Sequence, residues 1–359
     1  MEMRVFYVIS TLEGGGAESQ LCSYAVELKK LHPDIYFEIC ALKRGGVFEK
    51  KLADNGIKYT VLNANGVLSS AIKLRKKLKE GRFDIVHAHM FLSDIVSRIA
   101  TVFTRIKVVA THHGLGKWKK KPLILLDKLT KFRVDGFVMV SEQSMELRLK
   151  REKYPREKTQ VIYNGISSEF LSSESKKFPA DGEKIIVGTT ARMTDNKQIN
   201  LMIDVIKDLE KYPYLHYEII GQGENYEKLV AQTKELGLTE RVHFLGWQDN
   251  ILQYIKNWHM FALPSINEDL PVSMLECMAQ GVVPVASSVG GIITLLDGNR
   301  NGMLCDSSDR KTFADAIEYL ITNREAYETM SVNARQFIAD TFLINKTIEK
   351  TLAVYKKLL

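Results

Sequence analysis

Arg4-Val-Phe-Tyr-Val-Ile-Ser10 followed by Glu13-Gly-Gly-Gly-Ala-Glu18 decides how this chain folds. The first run is apolar and rich in β-branched and aromatic residues, as expected of a strand buried on both faces. The second places three glycines between that strand and a helix-period stretch, Glu18–Leu31. Glycines at such a junction let backbone amides approach an anion, and the helix N-terminus adds partial positive charge. A plain tight turn is the competing reading, although a turn seldom needs three glycines in a row. The pattern is neither the GxGxxG dinucleotide fingerprint nor a P-loop, because no third glycine follows at the right spacing and no Lys-Ser/Thr pair is present.

Working outward, the same alternation recurs. Tyr36–Leu42, Ile57–Val61, Ile85–His89, Lys107–Thr111 and Phe137–Val140 read as further buried strands, with helix-period stretches such as Leu68–Glu80 and Pro122–Phe132 between them. Strands alternating with helices predict a parallel sheet with crossovers on both faces. The alternation stops at Tyr163-Asn-Gly-Ile166 and the polar stretch Ser167–Glu183, which read as a linker. A second series follows: Ile185–Ala191, Leu215–Gly221, Val242–Leu245, His259–Leu263 and Val282–Ala286. At 359 residues the chain exceeds the size at which one core stops growing, so two domains are expected. We place them at residues 1–165 and 166–340, with the final helical stretch, about 340–359, broken near Phe342. Two doubly wound α/β domains of this kind bind ligands at the carboxyl edges of their sheets, which in tandem leave a cleft.

The four cysteines, Cys22, Cys40, Cys277 and Cys305, are scattered and read as core residues of a reducing compartment. No segment approaches the roughly 18 consecutive apolar residues a membrane span needs. With no leader pattern before the first strand, a cytoplasmic location is expected. Charge is uneven. Residues 1–165 hold 30 Lys+Arg against 17 Asp+Glu, whereas the remainder holds 20 against 26. A strongly basic half suits a polyanionic surface or a phosphorylated acceptor.

Two further constellations carry chemistry. Gly188-Thr-Thr-Ala-Arg192, with Lys197 beyond it, puts two cations after the first strand of the second domain. Arginine offers a planar fork and lysine a point charge, which together suit a pyrophosphate; taken alone, a pair of solvated surface cations fits equally well. Pro264-Ser-Ile-Asn-Glu268-Asp-Leu-Pro-Val-Ser-Met-Leu-Glu276 sets one glutamate in a loop and a second inside the next helix, which begins near Pro271. Carboxylates accept hydrogen bonds from sugar hydroxyls. Glu276 reads equally well as a locally paired acid, since a buried charge needs a partner.

Taken together, Gly14-Gly-Gly-Ala-Glu18, Arg192 with Lys197, Gly221-Gln-Gly223, the Glu268/Glu276 pair, and Gln280-Gly-Val-Val-Pro-Val-Ala286 followed by Gly290-Gly291 resemble the family 4 glycosyltransferases. The resemblance covers nearly the whole chain, and the two glutamates seven residues apart are its most specific part. It implies the GT-B fold: two Rossmann-like domains facing each other across a cleft, acceptor mainly on the first, nucleotide-sugar donor mainly on the second, and a C-terminal helix returning to the first. It further implies that Arg192 and Lys197 neutralise the donor diphosphate, that Glu276 holds the ribose and that Glu268 holds the transferred sugar. Amides of Gly15 and Gly16 would lie near the phosphates, and those around Leu270, Pro271 and Val272 near the sugar or distal phosphate, with Gly221 lining the donor site. Asp269-Leu-Pro271 stands where many members have Gly-Phe-Gly, which leaves the hexose open. UDP is the common nucleotide among relatives.

Histidines are the remaining candidates. His87 and His89 alternate on a strand end and share a face, as two metal ligands would, but no third ligand and no Asp-x-Asp pair accompanies them. The resemblance implies a reaction without metal or other cofactor. It also implies a histidine near the transferred sugar, for which His112 is favoured over His113. Front-face attack with retention at the anomeric carbon follows from the same resemblance, since no second carboxylate suggests a covalent nucleophile. Lys117-Trp-Lys-Lys-Lys-Pro-Leu-Ile-Leu-Leu126 and the Lys73–Lys79 cluster suit an anionic membrane surface, where a lipid-linked acceptor would sit; a solvated helix face is the alternative. Nucleic acid is not expected, because no binding motif accompanies the charge. A nucleotide-sugar 2-epimerase or a phosphorylase on the same scaffold, or a non-catalytic relative, are the other readings.

Overall fold

The computed structural model of the chain describes residues 3–116 and 121–359. It divides into two units. Unit 1 runs to Ser167 and also includes Leu343–Leu359; unit 2 is Ser168–Phe342.

Unit 1 is built on seven parallel strands: β1 (Arg4–Thr11), β2 (Tyr36–Arg44), β3 (Tyr59–Val61), β4 (Ile85–His89), β5 (Lys107–His112), β6 (Gly136–Met139) and β7 (Thr159–Val161). Their order is β3-β2-β1-β4-β5-β6-β7, so the winding reverses between β1 and β4. Side chains alternate between the two faces. Val5, Tyr7 and Ile9 join Ile85 and Val109 under helix α1 (Gly16–Leu31) and the C-terminal helix Ile344–Leu358. Phe6 and Val8 join Val86 on the opposite face, against α2 (Val67–Gly81) and α3 (Phe91–Ala100). That second face continues over β5 and β6 toward α4 (Lys121–Thr130). The C-terminal helix is fixed by buried Ile348, Leu352 and Tyr355. Gly165 is needed where the chain leaves this unit, because a Cβ there would lie 2.6 Å from the Ile344 Cα.

Unit 2 repeats the plan with β8 (Ile185–Thr190), β9 (Leu215–Ile220), β10 (Val242–Gly246), β11 (Met260–Leu263), β12 (Val283–Ser287) and β13 (Met303–Cys305). The order is β10-β9-β8-β11-β12-β13, all parallel, reversing between β8 and β11. The helix that carries Glu276 is α5 (Val272–Ala279).

Two features differ from the sequence reading. The short strands β7 and β13, three residues each, were not expected from the sequence pattern. The polar stretch after Ser167 is not a free linker. Arg335 donates to the carbonyls of Ser172 (2.7 Å) and Ser173 (3.2 Å), the Lys176 amide donates to Ser331 (2.8 Å), and Phe178 packs edge-on against Tyr327. Its polarity reflects backbone groups satisfied by unit 2, and its first ordered turn is Ser168–Phe170. All four cysteines are buried thiols, and among the described residues no helix is long and apolar enough to cross a membrane.

Candidate functional site

In an open parallel sheet, ligands bind beyond the carboxyl ends of the strands where the winding reverses. In unit 2 that place is the ends of β8 and β11. The chain leaving β8 carries Arg192, which is exposed, and Lys197, which is part-buried. The chain leaving β11 carries Glu268, and the Lys197 ammonium donates directly to its carboxylate. The two loops are joined along their backbones as well. The Ile266 amide donates to the Asn196 carbonyl (2.9 Å), and the Asn196 side chain donates to the Asn267 carbonyl (3.1 Å).

Glycines fix both loops from the far side. Gly221 and Gly223, after β9, lie against the Arg192 loop so closely that a Cβ would fall 2.1 Å from the Ala191 carbonyl oxygen and 2.4 Å from that of Met193. The Met193 amide in turn donates to the Gln222 carbonyl at 3.0 Å. Gly290 and Gly291, after β12, do the same for Glu268: the Gly291 amide donates to the Asp269 carbonyl at 2.6 Å. Gly290 has φ +57°, and a Cβ on it would sit 1.8 Å from the Glu268 carbonyl oxygen. Pro271 caps α5 in extended conformation, leaving the first amides of that helix unpaired within it beside Leu270 and Val272. Glu276 is half-buried in the second turn of α5.

The same edge collects polar atoms that sequence reasoning missed. Thr190 Oγ1, Ser265 Oγ, Asn267 Oδ1 and Ser287 Oγ are buried and have no hydrogen-bond partner among the described residues. Each stands at or just beyond the carboxyl end of β8, β11 or β12. A hydroxyl or amide closing an otherwise apolar strand was the available signal. Buried polar groups are normally paired, so a cluster of unpaired ones marks where a polar ligand or water belongs.

In unit 1 the reversal lies between β1 and β4. The glycine loop follows β1, with Gly15 as the N-cap of α1 in extended conformation and without a side-chain cap. The group set against it is an acid: a Cβ on Gly15 would lie 2.6 Å from a Glu18 carboxylate oxygen, while the other oxygen accepts from Thr11 Oγ1 at 2.9 Å. An anion reaching the Gly15 and Gly16 amides therefore meets Glu18 beside it.

β4 ends in His87 and His89, both buried under α1 and the C-terminal helix. His87 hydrogen-bonds the Tyr355 hydroxyl through Nδ1 and Thr111 Oγ1 (2.7 Å) through Nε2. His89 Nδ1 meets His113 Nε2 at 2.9 Å, with the rings stacked. Burial pushes His87 down to about 3 and His89 well below the usual range, and it pushes His113 down to about 4, so all three are neutral at pH 7. His87 is thus committed to structural bonds. Among the described residues no group of three His, Cys, Asp or Glu side chains is arranged to hold a metal ion.

The structure separates His112 from His113. His112 points to the α3/α4 face like Val108 and Ala110, the residues four and two before it. It is 2% exposed, with Nε2 at 3.4 Å from both Asp94 and the Tyr154 hydroxyl. Asp94 pairs with Arg98, which also donates to Asp127 (2.8 Å), and Tyr154 donates to Asp127 (2.8 Å). Burial raises the Asp94 carboxyl, but Arg98 and then His112 outweigh it and hold the group below its ordinary range. His113, half-buried, keeps part of its surface open at the sheet edge.

Two nucleotide-type α/β units, one of which gathers cations, a carboxylate and unpaired hydroxyls at its switch point, define a glycosyltransferase of the GT-B fold. Comparison with known proteins agrees. Residues 14–170 match the profile described as Glycosyltransferase Family 4, and residues 172–337 the one described as Glycosyl transferases group 1. An Escherichia coli UDP-Gal:alpha-D-GlcNAc-diphosphoundecaprenol alpha-1,3-galactosyltransferase is 27% identical over 80% of this chain and 79% of its own. The Staphylococcus aureus capsular polysaccharide biosynthesis glycosyltransferase CapH is 24% identical over 98% of each. Anabaena Alr3699/HepE in complex with UDP superposes with a TM-score of 0.86 at 20% identity, covering 99% of this chain and 100% of that one. The chain belongs to family 4 of the glycosyltransferases.

Proposed function

We propose that this enzyme is a retaining hexosyltransferase moving a hexose or N-acetylhexosamine from a UDP-sugar to a lipid-linked or polysaccharide acceptor. The observation that carries the reading is the Lys197–Glu268 pair at the β8/β11 switch point, locked between two sets of glycines. UDP is favoured by the nucleotide bound to the Anabaena structure and by the donor named for the E. coli relative. The acceptor class follows the diphosphoundecaprenol-linked and capsular products named for the two relatives. With a lipid-linked acceptor, transfer takes place at a membrane surface.

In this reading Arg192 and Lys197 neutralise the departing diphosphate, helped by the first amides of α5 around Leu270, Pro271 and Val272. These groups supply the positive charge without a metal ion. Glu268, once Lys197 turns to phosphate, accepts hydrogen bonds from the sugar, and Glu276 takes the ribose. The bond from the anomeric carbon to the β-phosphate oxygen breaks as the acceptor oxygen bonds on the same face. The acceptor proton passes to the leaving diphosphate. The sugar contact that sequence gave to His112 passes to His113, because His112 is enclosed with Asp94 and Tyr154 whereas His113 stands at the edge.

Lys197→Met is expected to weaken UDP binding at least about tenfold, the loss of one charge-assisted hydrogen bond. Glu268→Gln should keep UDP binding while transfer falls about a hundredfold or more, with the anomeric configuration of the residual product read by NMR. Full transfer in both variants would sink the site assignment. Interconversion of the donor sugar with no acceptor present would replace transfer by epimerisation.

A further inference from the structure

Helix α4 is mounted with its polar side inward. Its one acid, Asp127, is fully buried, whereas Leu125 and Leu129 of the helix and Phe132 in the 3-10 turn that follows it are 57%, 64% and 76% exposed. Phe103, at the end of α3, is 98% exposed in a loop that Arg133 ties to the same place by donating to the carbonyls of Thr101 (3.2 Å) and Ile106 (2.5 Å). What turns the helix over is Arg98. Its guanidinium, 1% exposed, pairs with Asp94 on its own helix and donates to Asp127 (2.8 Å) and Thr130 (2.9 Å) of α4. An ordinary surface helix buries its leucines and hydrates its acid. Here the fold buries the charge and leaves a contiguous row of large apolar side chains outside, an arrangement that marks an interaction surface.

The cations around this row choose its partner. Lys121, Lys128 and Arg105 are exposed and form no ion pair among the described residues. Unit 1 as a whole carries 34 Lys+Arg against 18 Asp+Glu, a net +16. Apolar side chains ringed by unpaired cations fit the interface of a bilayer with anionic headgroups. The other basic cluster does not. Lys73 donates to the carbonyls of Leu62 (3.0 Å) and Asn63 (3.2 Å), Arg75 to those of Ala100 (3.1 Å) and Val102 (2.7 Å), and Lys77 pairs with Glu80 (3.2 Å). Three of its five cations thus serve the fold. Lys117–Lys120 lie outside the described residues. We infer that the outward face of α4, with Leu125, Leu129, Phe132 and Phe103 flanked by Lys121, Lys128 and Arg105, docks unit 1 onto an anionic lipid bilayer.

This inference goes beyond the transfer reaction and stands or falls separately from it. The test is co-sedimentation of the purified chain with vesicles of phosphatidylcholine alone and of phosphatidylcholine mixed with phosphatidylglycerol. Binding is expected only to the mixed vesicles and should weaken as salt screens the headgroups. Leu125→Glu with Leu129→Glu should lower the bound fraction at least about tenfold, and Lys121→Gln with Lys128→Gln should erase the preference for anionic lipid. UDP affinity and the circular dichroism spectrum should be unchanged in every variant. The inference is overturned if the wild-type chain sediments with neither vesicle or if the leucine variant binds as well as wild type. A dimer seen by light scattering that the leucine variant dissolves would also overturn it, since a second copy then covers the face.

Discussion

Gly290→Ala isolates what the glycine clamp does for catalysis. An added Cβ would lie 1.8 Å from the Glu268 carbonyl oxygen, at a residue with φ +57°. Carbon and carbonyl oxygen approach to about 3.3 Å at closest, so the Glu268 backbone must retreat by roughly 1.5 Å. The left-handed conformation itself costs about 1–2 kcal/mol for a residue with a side chain. A displacement of about 1 Å in a positioning group costs on the order of a hundredfold in rate. We therefore expect kcat/KM for sugar transfer to fall about a hundredfold or more, with unit 2 losing more than the ~1–2 kcal/mol of strain alone, which is itself roughly 2–8 °C in Tm. Gly298→Ala is the control. It has φ +61° with nothing within 4 Å of the built Cβ, so it carries the backbone strain without the clash. It should lose about 1–2 kcal/mol from strain alone, less than Gly290→Ala, while its rate stays at wild type. Transfer by Gly290→Ala within threefold of wild type, or an equal loss of rate in Gly298→Ala, would refute the reasoning.

Two further outcomes follow from the buried groups of unit 1. Arg98→Met strands Asp94 and Asp127, both 0% exposed, and should cost about 3–5 kcal/mol in urea unfolding, much of it recovered when both acids are also made Asn. His87 is held to about 3 in the folded chain against about 6.5 unfolded, so its contribution is complete above pH 6.5 and is lost as pH falls toward 3. At pH 5 that is about 2 kcal/mol, and His87→Gln should lose about that much less stability than wild type between pH 7.5 and pH 5.

The long strands were legible because residues buried on both faces leave unbroken apolar runs, as in Ile85–His89, where the sequence-read and observed limits coincide. The inverted mounting of α4 was not. Apolar residues at helical spacing show that a helix has an apolar face, but not which way it is turned, and the residue that turns it is Arg98, 29 positions before Asp127. The same limit applies to His112 and His113. Adjacent residues at a strand end point to opposite faces, and only the positions of Asp94 and Tyr154 show which one is enclosed. Glu18 stood inside the glycine motif from the start, yet its folding back against Gly15 depends on Thr11, a strand residue outside the motif.

The glycine motifs carried more structural information than their turn chemistry suggests. Of Gly221, Gly223, Gly290 and Gly291, only Gly221 and Gly290 have positive φ. What all four share is another loop's backbone within 1.8 to 2.4 Å of where a Cβ would be. Each motif is therefore half of a contact. The glycines after β9 receive the Arg192 loop, and those after β12 receive the Glu268 loop. The two received loops then meet at Lys197 and Glu268. The order in which these motifs occur along the chain encodes which loops must touch, and so the family pattern, read as a string, points to the loops that meet at the ends of β8 and β11. The pattern is silent on Thr190, Ser265 and Ser287 because a hydroxyl needs no clearance. Such residues announce themselves only when burial leaves them without a partner.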